Sequence, residues 1–490
     1  MTTTPQSGYM LRLERDAEGH LRAVPDSRTY HEATGAPDSF PDATADAERD
    51  AERDADAHGR PWRIWRATDP EPGAAPAFDA LDALARTLWF GERLADDDAA
   101  CRSAWGRLCS WIVSEYPGCH AKQTPGATGL SLVQHTLPWG KGQRRAYVYP
   151  TLPADLARLL AATAPQHRME GPEELLTTPG ATMRRYTQYD ARIAHAAYLR
   201  HLPVLLGEDT SSLMHDEGPF IPYRAGKYRV AVTVPQGWSH IGLVHRAVTT
   251  PLGGTWDYPA TPGEEWETWL DAGEVALLAK NDHAPWPFAV RERLLWADAK
   301  TPGTDPLREH SDRITSYLER LDRERARPAQ TPTQARALAA LRHAARAVAL
   351  HPIGLWHKSS NQRPRHVASL DELTPADAEA TIVPAEHGGY TVTVSAALSG
   401  YQAHWRRLEW STTIYARERV NATRRALTAP RASVLGIRGD AVHFADYAPE
   451  WPDTGKVGAY RLKADVRFWG PRRAPRTAPE LLALAQEGES

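Results

Sequence analysis

Apolar positions along the chain switch between helical and strand spacing, and the switching divides it into segments. Phe78, Leu81, Leu84, Leu88 and Trp89 recur at helix spacing, and Trp105, Leu108 and Trp111 follow, so residues 78–117 are predicted helical. Arg145–Tyr149 is a short strand candidate, and Leu152–Ala162 reads as a helix opened by Pro153 and Asp155. Tyr228–Val234 alternates with β-branched residues and predicts a strand. Trp266–Lys280 is assigned to a helix with an acidic start. Asp305–Arg325 is densely charged but carries an apolar stripe of Leu307, Ile314, Leu318 and Leu321. Thr333–His351 follows as a second helix, ended by Pro352 and Gly354, so the two form a helical hairpin. Residues 359–385 are polar and contain proline, Tyr390–Ser395 is a strand, and a long helix runs from about Gln402 to Leu427. Ser433–Ile437 and Ala441–Phe444 flank Arg438, Gly439 and Asp440 as a strand hairpin, and Pro479–Gln486 is a short terminal helix.

Composition narrows the class. The chain has 490 residues, 42% hydrophobic and 24% charged, which describes a soluble globular protein of several domains. Three cysteines exclude a disulfide framework and a four-cysteine zinc site, and fit a reducing cytoplasm. No apolar run reaches membrane-spanning length, so no membrane partner is expected. Asp42–Asp56 holds seven acidic residues against Arg49 and Arg53 and reads as a solvated linker.

The net charge of −3 argues against a polybasic DNA coat but leaves room for a local basic groove. Positive charge concentrates late in the chain. Arg406, Arg407, Arg417, Arg419, Arg424, Arg425 and Arg431 face only Glu409 and Glu418, and Lys463, Arg467, Arg472, Arg473 and Arg476 follow. Such residues can neutralise phosphates along a duplex, although a solvated helix face explains the same pattern. The tryptophans at 238, 256, 266, 269, 405, 410 and 469 read mostly as core. No P-loop, dinucleotide-binding glycine motif, nucleophile elbow or His-Glu-x-x-His is present.

The candidate chemistry lies in two aspartates in β contexts, Asp190 and Asp440. Carboxylates from two strands can hold two Mg²⁺ ions about 3.5–4 Å apart, as phosphoryl transfer requires. Spacing alone says little, but the order of elements adds to it. A strand with Asp190 precedes a helical hairpin, a long helix and the hairpin with Asp440. Arg342 and Arg346 lie four apart on one helix face and are suited to gripping a triphosphate.

In this order and spacing the region 180–470 resembles family B DNA polymerases, in layout the protein-primed enzymes of phages and linear plasmids. The family's first palm motif is an Asp at a strand-to-helix turn that ends in Ser-Leu-Tyr-Pro. Asp190 matches the Asp, Leu202-Pro203 matches the end, and His195 falls near the Tyr that excludes ribonucleotides. In the fingers motif, Arg346 takes the Lys position and Gly354 the Gly, while Leu350 and Ile353 replace the Asn and Tyr. In the Asp-Thr-Asp-Ser motif, Asp440 takes the second Asp and Arg438 the first. Gly455–Lys463 resembles the Lys-Leu-Gly segment that follows.

The resemblance implies an α+β right-hand fold with an antiparallel palm sheet, helical-hairpin fingers, a reduced thumb and a small N-terminal α/β domain. The expected layout is a partly disordered acidic segment (1–60), a reduced or vestigial exonuclease-position domain (61–178), palm (179–300), fingers (301–358), an insertion (359–400), palm (401–463) and a short thumb or tail (464–490). The nearest fragment to an exonuclease motif, Phe78–Asp82, falls on a helical pattern.

The implied activity is template-directed addition of deoxynucleotides to a 3′-OH or a protein primer. Asp190 and Asp440 would hold Mg²⁺ or Mn²⁺, Arg342 and Arg346 the triphosphate, and His195 the sugar. Arg406, Arg407, Arg424, Arg425, Lys463, Arg467, Arg472 and Arg473 would contact DNA, with a primer or terminal protein as a further partner. Two alternatives follow from the departures at Leu350, Ile353 and Arg438. One is an inactive pseudo-polymerase that binds DNA or a replication partner. The other is a template-independent nucleotidyltransferase.

Overall fold

A computed structural model describes residues 76–136, 167–176, 180–200, 213–222, 224–250, 253–296, 306–327, 330–357, 361–374, 380–384, 389–396 and 407–489, with 9–15, 21–23, 62–66, 159–160 and 202. The strand expected at 145–149, most of the helix expected at 152–162, the acidic stretch 42–56, Trp405 and Arg406 lie outside these residues.

Strands β1 (Tyr9–Arg15), β2 (Leu21–Ala23) and β3 (Trp62–Arg66) form a three-stranded sheet, so the segment expected to be partly disordered contributes two strands. Helices α1 (Ala83–Phe90), α2 (Asp98–Glu115) and α3 (Pro125–Thr136) follow. They share one core with the hairpin of α7 (Pro306–Arg325) and α8 (Pro332–His357), through Trp89, Leu108, Ile112, Ile314, Leu318, Leu341 and Val348. Between residues 76 and 136 the exonuclease-position segment is therefore helical and packed on the hairpin, while its start, β3, joins the sheet with β1. Within Phe78–Asp82, Asp82 caps α1 and Asp79 pairs with Arg102.

The central sheet has five strands in the order β17-β5-β16-β15-β4, every pair antiparallel: β4 (Met169–Glu170), β5 (Thr182–Ala191), β15 (Val434–Arg438), β16 (Ala441–Ala445) and β17 (Tyr460–Arg473). Short helices α4 (Pro172–Leu175) and α5 (Ala194–Ala197) flank β5. A second antiparallel sheet, β10-β7-β11-β6, holds β6 (Leu213–Asp216), β7 (Gly226–Thr233), β10 (Glu265–Asp271) and β11 (Phe288–Trp296), and β8 (Arg246–Thr250) pairs with β9 (Gly253–Asp257). Helix α6 (Ala272–Ala279) follows β10, and β12 (Asn361–Val367), β13 (Thr381–Pro384) and β14 (Tyr390–Ala396) make a further three-stranded sheet. Helices α9 (Leu408–Leu427) and α10 (Ala478–Glu489) complete the chain.

Alternation along the strands sorts the two faces of the central sheet. Tyr189, Val434, Val442 and Phe444 point into a core shared with Val230, Leu277 and Ala426. Tyr186, Leu435 and Ala464 face α10, packed against Leu481 and Leu484.

Three expectations change. Trp266–Leu270 is strand, not helix: Trp266, Thr268 and Leu270 are buried alternately against β7, and the helix begins only at Ala272. Asp271 and Glu274 form the capping box that starts it, which is the acidic start displaced by one element. Helix α8 runs through Pro352 to His357. The Val348 carbonyl loses its helical donor there, and Gly129 of α3 lies against that carbonyl and the proline ring, where an added Cβ would come within 2.3 Å of both. Residues 464–473, set in a tail by the sequence, are the second half of β17. The strand at 228–234, the hairpin at 433–444 and the terminal helix agree with β7, β15–β16 and α10.

Candidate active site

β5 and β16 lie side by side with Ala441 opposite Asp190, so the β15–β16 turn delivers Asp440 to the end of β5 that carries Asp190. Gly439 makes the turn possible with φ +65°, a conformation that glycine adopts without strain. The carboxyl groups of Asp190 and Asp440 lie close enough to interact directly. Burial, reinforced by the charges of Asp190 and Glu418, pushes the Asp440 carboxyl up to about 8. Two adjacent carboxyls, one of which resists ionisation near neutral pH, are the electrostatic condition that a divalent ion between them would relieve.

A cavity of about 570 Å³ opens over this pair. Arg342 and Arg346 reach it from α8, His195 from α5, and Arg438 and Lys463 from the sheet. The structure thus brings Asp190, Asp440, Arg342, Arg346 and His195 to one cavity, from four elements spread over 250 residues. Arg342 is held by Asp322, to which its Nε and Nη2 donate at 2.9 and 3.2 Å. Arg346 is exposed. Lys463 lies 3.7 Å from the Asp190 carboxylate, so this residue belongs to the cavity wall rather than to an outer basic face. The Gln188 Oε1 and His443 Nε2 atoms in the wall are buried without hydrogen-bond partners among the described residues.

Sequence reasoning missed Glu418 and His167. Both oxygens of Glu418 are engaged: His167 Nδ1 is 2.6 Å from Oε1, and His195 Nε2 meets Oε2. Glu418 is almost fully buried, yet the two imidazoles hold its carboxyl down at about 2, against the desolvation that raises it. Ile193, at φ +47°, turns the chain abruptly from β5 into α5 and so places His195 beside Glu418. The available signal was an acidic residue inside an arginine-rich helix.

The other basic candidates separate by exposure. Arg407 is buried, with its guanidinium over Trp410, so it offers no surface charge to DNA. Arg425 stacks on Trp451 and Tyr460. Arg424, Arg467 and Arg473 are exposed, and Arg472 pairs with Glu487 at 3.2 Å. Trp469 stands fully exposed between Arg467 and Arg472, contrary to a core role, whereas Trp238, Trp266 and Trp410 are buried.

No protein-family model and no curated protein matches the chain. In structure it is similar to Phi29 DNA polymerase in an orthorhombic crystal form, at 12% identity and a TM-score of 0.48, over 71% of this chain and 53% of that one. It is similar to the same polymerase complexed with primer-template DNA and incoming nucleotide substrates, at 13% identity and a TM-score of 0.48, over 71% and 54%. The chain spans about half the length of the polymerase chains that it matches. No helix among the described residues is long and apolar enough to cross a membrane.

Proposed function

We propose that the protein is a polymerase-like nucleotidyltransferase that adds deoxynucleotides to a 3′-OH or to a protein hydroxyl on a DNA template. The observation that carries the reading is the approach of Asp190, near the end of β5, to Asp440, in the β15–β16 turn, beneath a cavity walled by arginines.

The donor set fits Mg²⁺ or Mn²⁺: two carboxylates, with the unpartnered oxygen of Gln188 in the same wall, are hard oxygen ligands. Bound there, the ions would lower the pKa of the attacking hydroxyl and neutralise the leaving pyrophosphate. The protein supplies position and charge. Arg346 and Arg342 orient the triphosphate, His195 borders the sugar, and Asp322 fixes the Arg342 guanidinium. Arg424, Arg467 and Arg473 supply exposed positive charge for the duplex.

The test is primer extension with Mg²⁺ or Mn²⁺ on primed, unprimed and protein-primed templates. Incorporation by the wild type that Asp440→Asn abolishes supports the reading, and equal inactivity of the two proteins contradicts it.

The Lys463–Asp190 ion pair favours a second reading, because an ammonium stands where a metal would. On that reading the chain binds DNA without catalysis, and binding survives Asp190→Ala and Asp440→Ala.

A further inference from the structure

We propose that His167, Glu418 and His195 form a second metal site in the cavity wall, one that takes a single transition-metal ion such as Zn²⁺, Co²⁺ or Mn²⁺. The ion would keep an open position for a water or a phosphate oxygen. The argument rests on the donor set and its placement, and is independent of catalysis at Asp190 and Asp440.

One ligand atom from each residue lies within 4.8 Å of the other two. The three come from separate parts of the fold: His167 from the segment before β4, His195 from α5, and Glu418 from the middle of α9. The two imidazole rings stack nearly parallel, with centroids 5.9 Å apart and planes 13° from each other. Tyr415 packs against both, at 4.7 and 5.1 Å, and backs the cluster on one side. His167 is partly exposed.

The other side of the cluster is open. All three residues line the same 570 Å³ cavity, with Arg192, Arg342, Arg346 and Arg438 around it. Two imidazoles and one carboxylate, with a fourth position facing a cavity, is the donor pattern of an open zinc site. Imidazole nitrogen suits Zn²⁺ and related ions, whereas the oxygen donors at Asp190 and Asp440 suit Mg²⁺. The β15–β16 turn closes the distance between the two sites. A Cβ added to Gly439 would lie 3.5 Å from His167 Nδ1 and 3.6 Å from Glu418 Oε1, and Asp440 is the next residue.

The experiment is titration of the metal-free full-length protein with Zn²⁺ by calorimetry, and with Co²⁺ by visible absorption. One tight Zn²⁺ per chain is expected, with the Co²⁺ spectrum of a low-symmetry site carrying nitrogen donors. His167→Ala should weaken the affinity at least about tenfold, the loss that removal of even an outer partner causes. Asp190→Asn should leave the stoichiometry unchanged. Circular dichroism of His167→Ala separates lost binding from misfolding. Absence of a tight site in the wild type, or a His167→Ala protein that binds Zn²⁺ as tightly as wild type, overturns the proposal. A wild type that binds Zn²⁺ as described but incorporates no nucleotide overturns the polymerase reading alone.

Discussion

Replacing Asp440 by asparagine removes a charge that the metal-free fold resists. An Asp carboxyl ordinarily titrates near 3.8, and burial beside Asp190 and Glu418 moves this one to about 8. Between those values the folded chain holds a proton that the unfolded chain has released, so stability falls as pH rises from about 4 to about 8. Each pH unit in that window corresponds to about 1.4 kcal/mol. At pH 7 the wild type thus carries a penalty approaching about 4 kcal/mol, and at pH 5 one of about 1–2 kcal/mol. Asparagine is nearly isosteric and stays neutral, and it can still hydrogen-bond to Asp190. Asp440→Asn should therefore stabilise the protein in EDTA by about 2–4 kcal/mol at pH 7, a rise of several degrees in Tm, with a smaller gain at pH 5. Millimolar Mg²⁺ should raise the wild-type Tm and leave the variant unmoved. Thermal unfolding followed by circular dichroism at pH 5, 6, 7 and 8, with and without Mg²⁺, reads all of this. A variant less stable than wild type in EDTA at pH 7, or a difference independent of pH, would refute the electrostatic account of the pair.

Four further outcomes follow. Arg346→Ala should weaken triphosphate binding about 10–100-fold, as loss of a charge-assisted contact does, whereas Arg342→Ala should also cost stability by leaving the half-buried Asp322 carboxylate without its main partner; nucleotide titration and thermal unfolding separate the two. Buried His310 and His443, both held down to about 3 by desolvation, stay neutral in the fold, so each should cost about 1.4 kcal/mol of stability per pH unit as pH falls from about 6.5 towards 3, measurable as acid unfolding that shifts to lower pH in His310→Gln. Gly129→Ala should destabilise the α3–α8 contact by about 1–3 kcal/mol, because the added methyl meets Pro352 and the Val348 carbonyl; the denaturant midpoint reports it. Neutralising exposed Arg424, Arg467 and Arg473 one at a time should each lower the salt slope of duplex binding by about 1, while Arg407→Gln should leave that slope unchanged.

Local periodicity carried most of the elements around the site. β-branched alternation marked β7, glycine at 439 marked the β15–β16 turn, and the stripe Leu307, Ile314, Leu318 and Leu321 is buried as α7 packs. The failures have particular causes. Trp266–Leu270 has apolar residues that suit either period, and only pairing with β7 selects the strand. Pro352 reads as a helix stop, but α8 continues through it with Gly129 of α3 packed against the Val348 carbonyl and the proline ring, a tertiary contact with no local trace. The juxtaposition of Asp190 and Asp440 in space was legible because motif order linked them across 250 residues. Glu418 was not. In sequence it balances the arginines of α9, and its role appears only where the fold sets it between His167 and His195. Arg407 looked like surface charge for the same reason: one-dimensional charge patterns do not reveal which helix face is covered.

Incorporation of labelled deoxynucleotide opposite a template, with Asp190→Asn and Asp440→Asn beside the wild type, bears most directly on the central claim. The account predicts metal-dependent extension by the wild type and loss of at least about a thousandfold in each variant, since each removes a ligand from the ions that stabilise the transferred phosphoryl group. Wild-type inactivity with every primer type, or extension that persists in either variant, would contradict it.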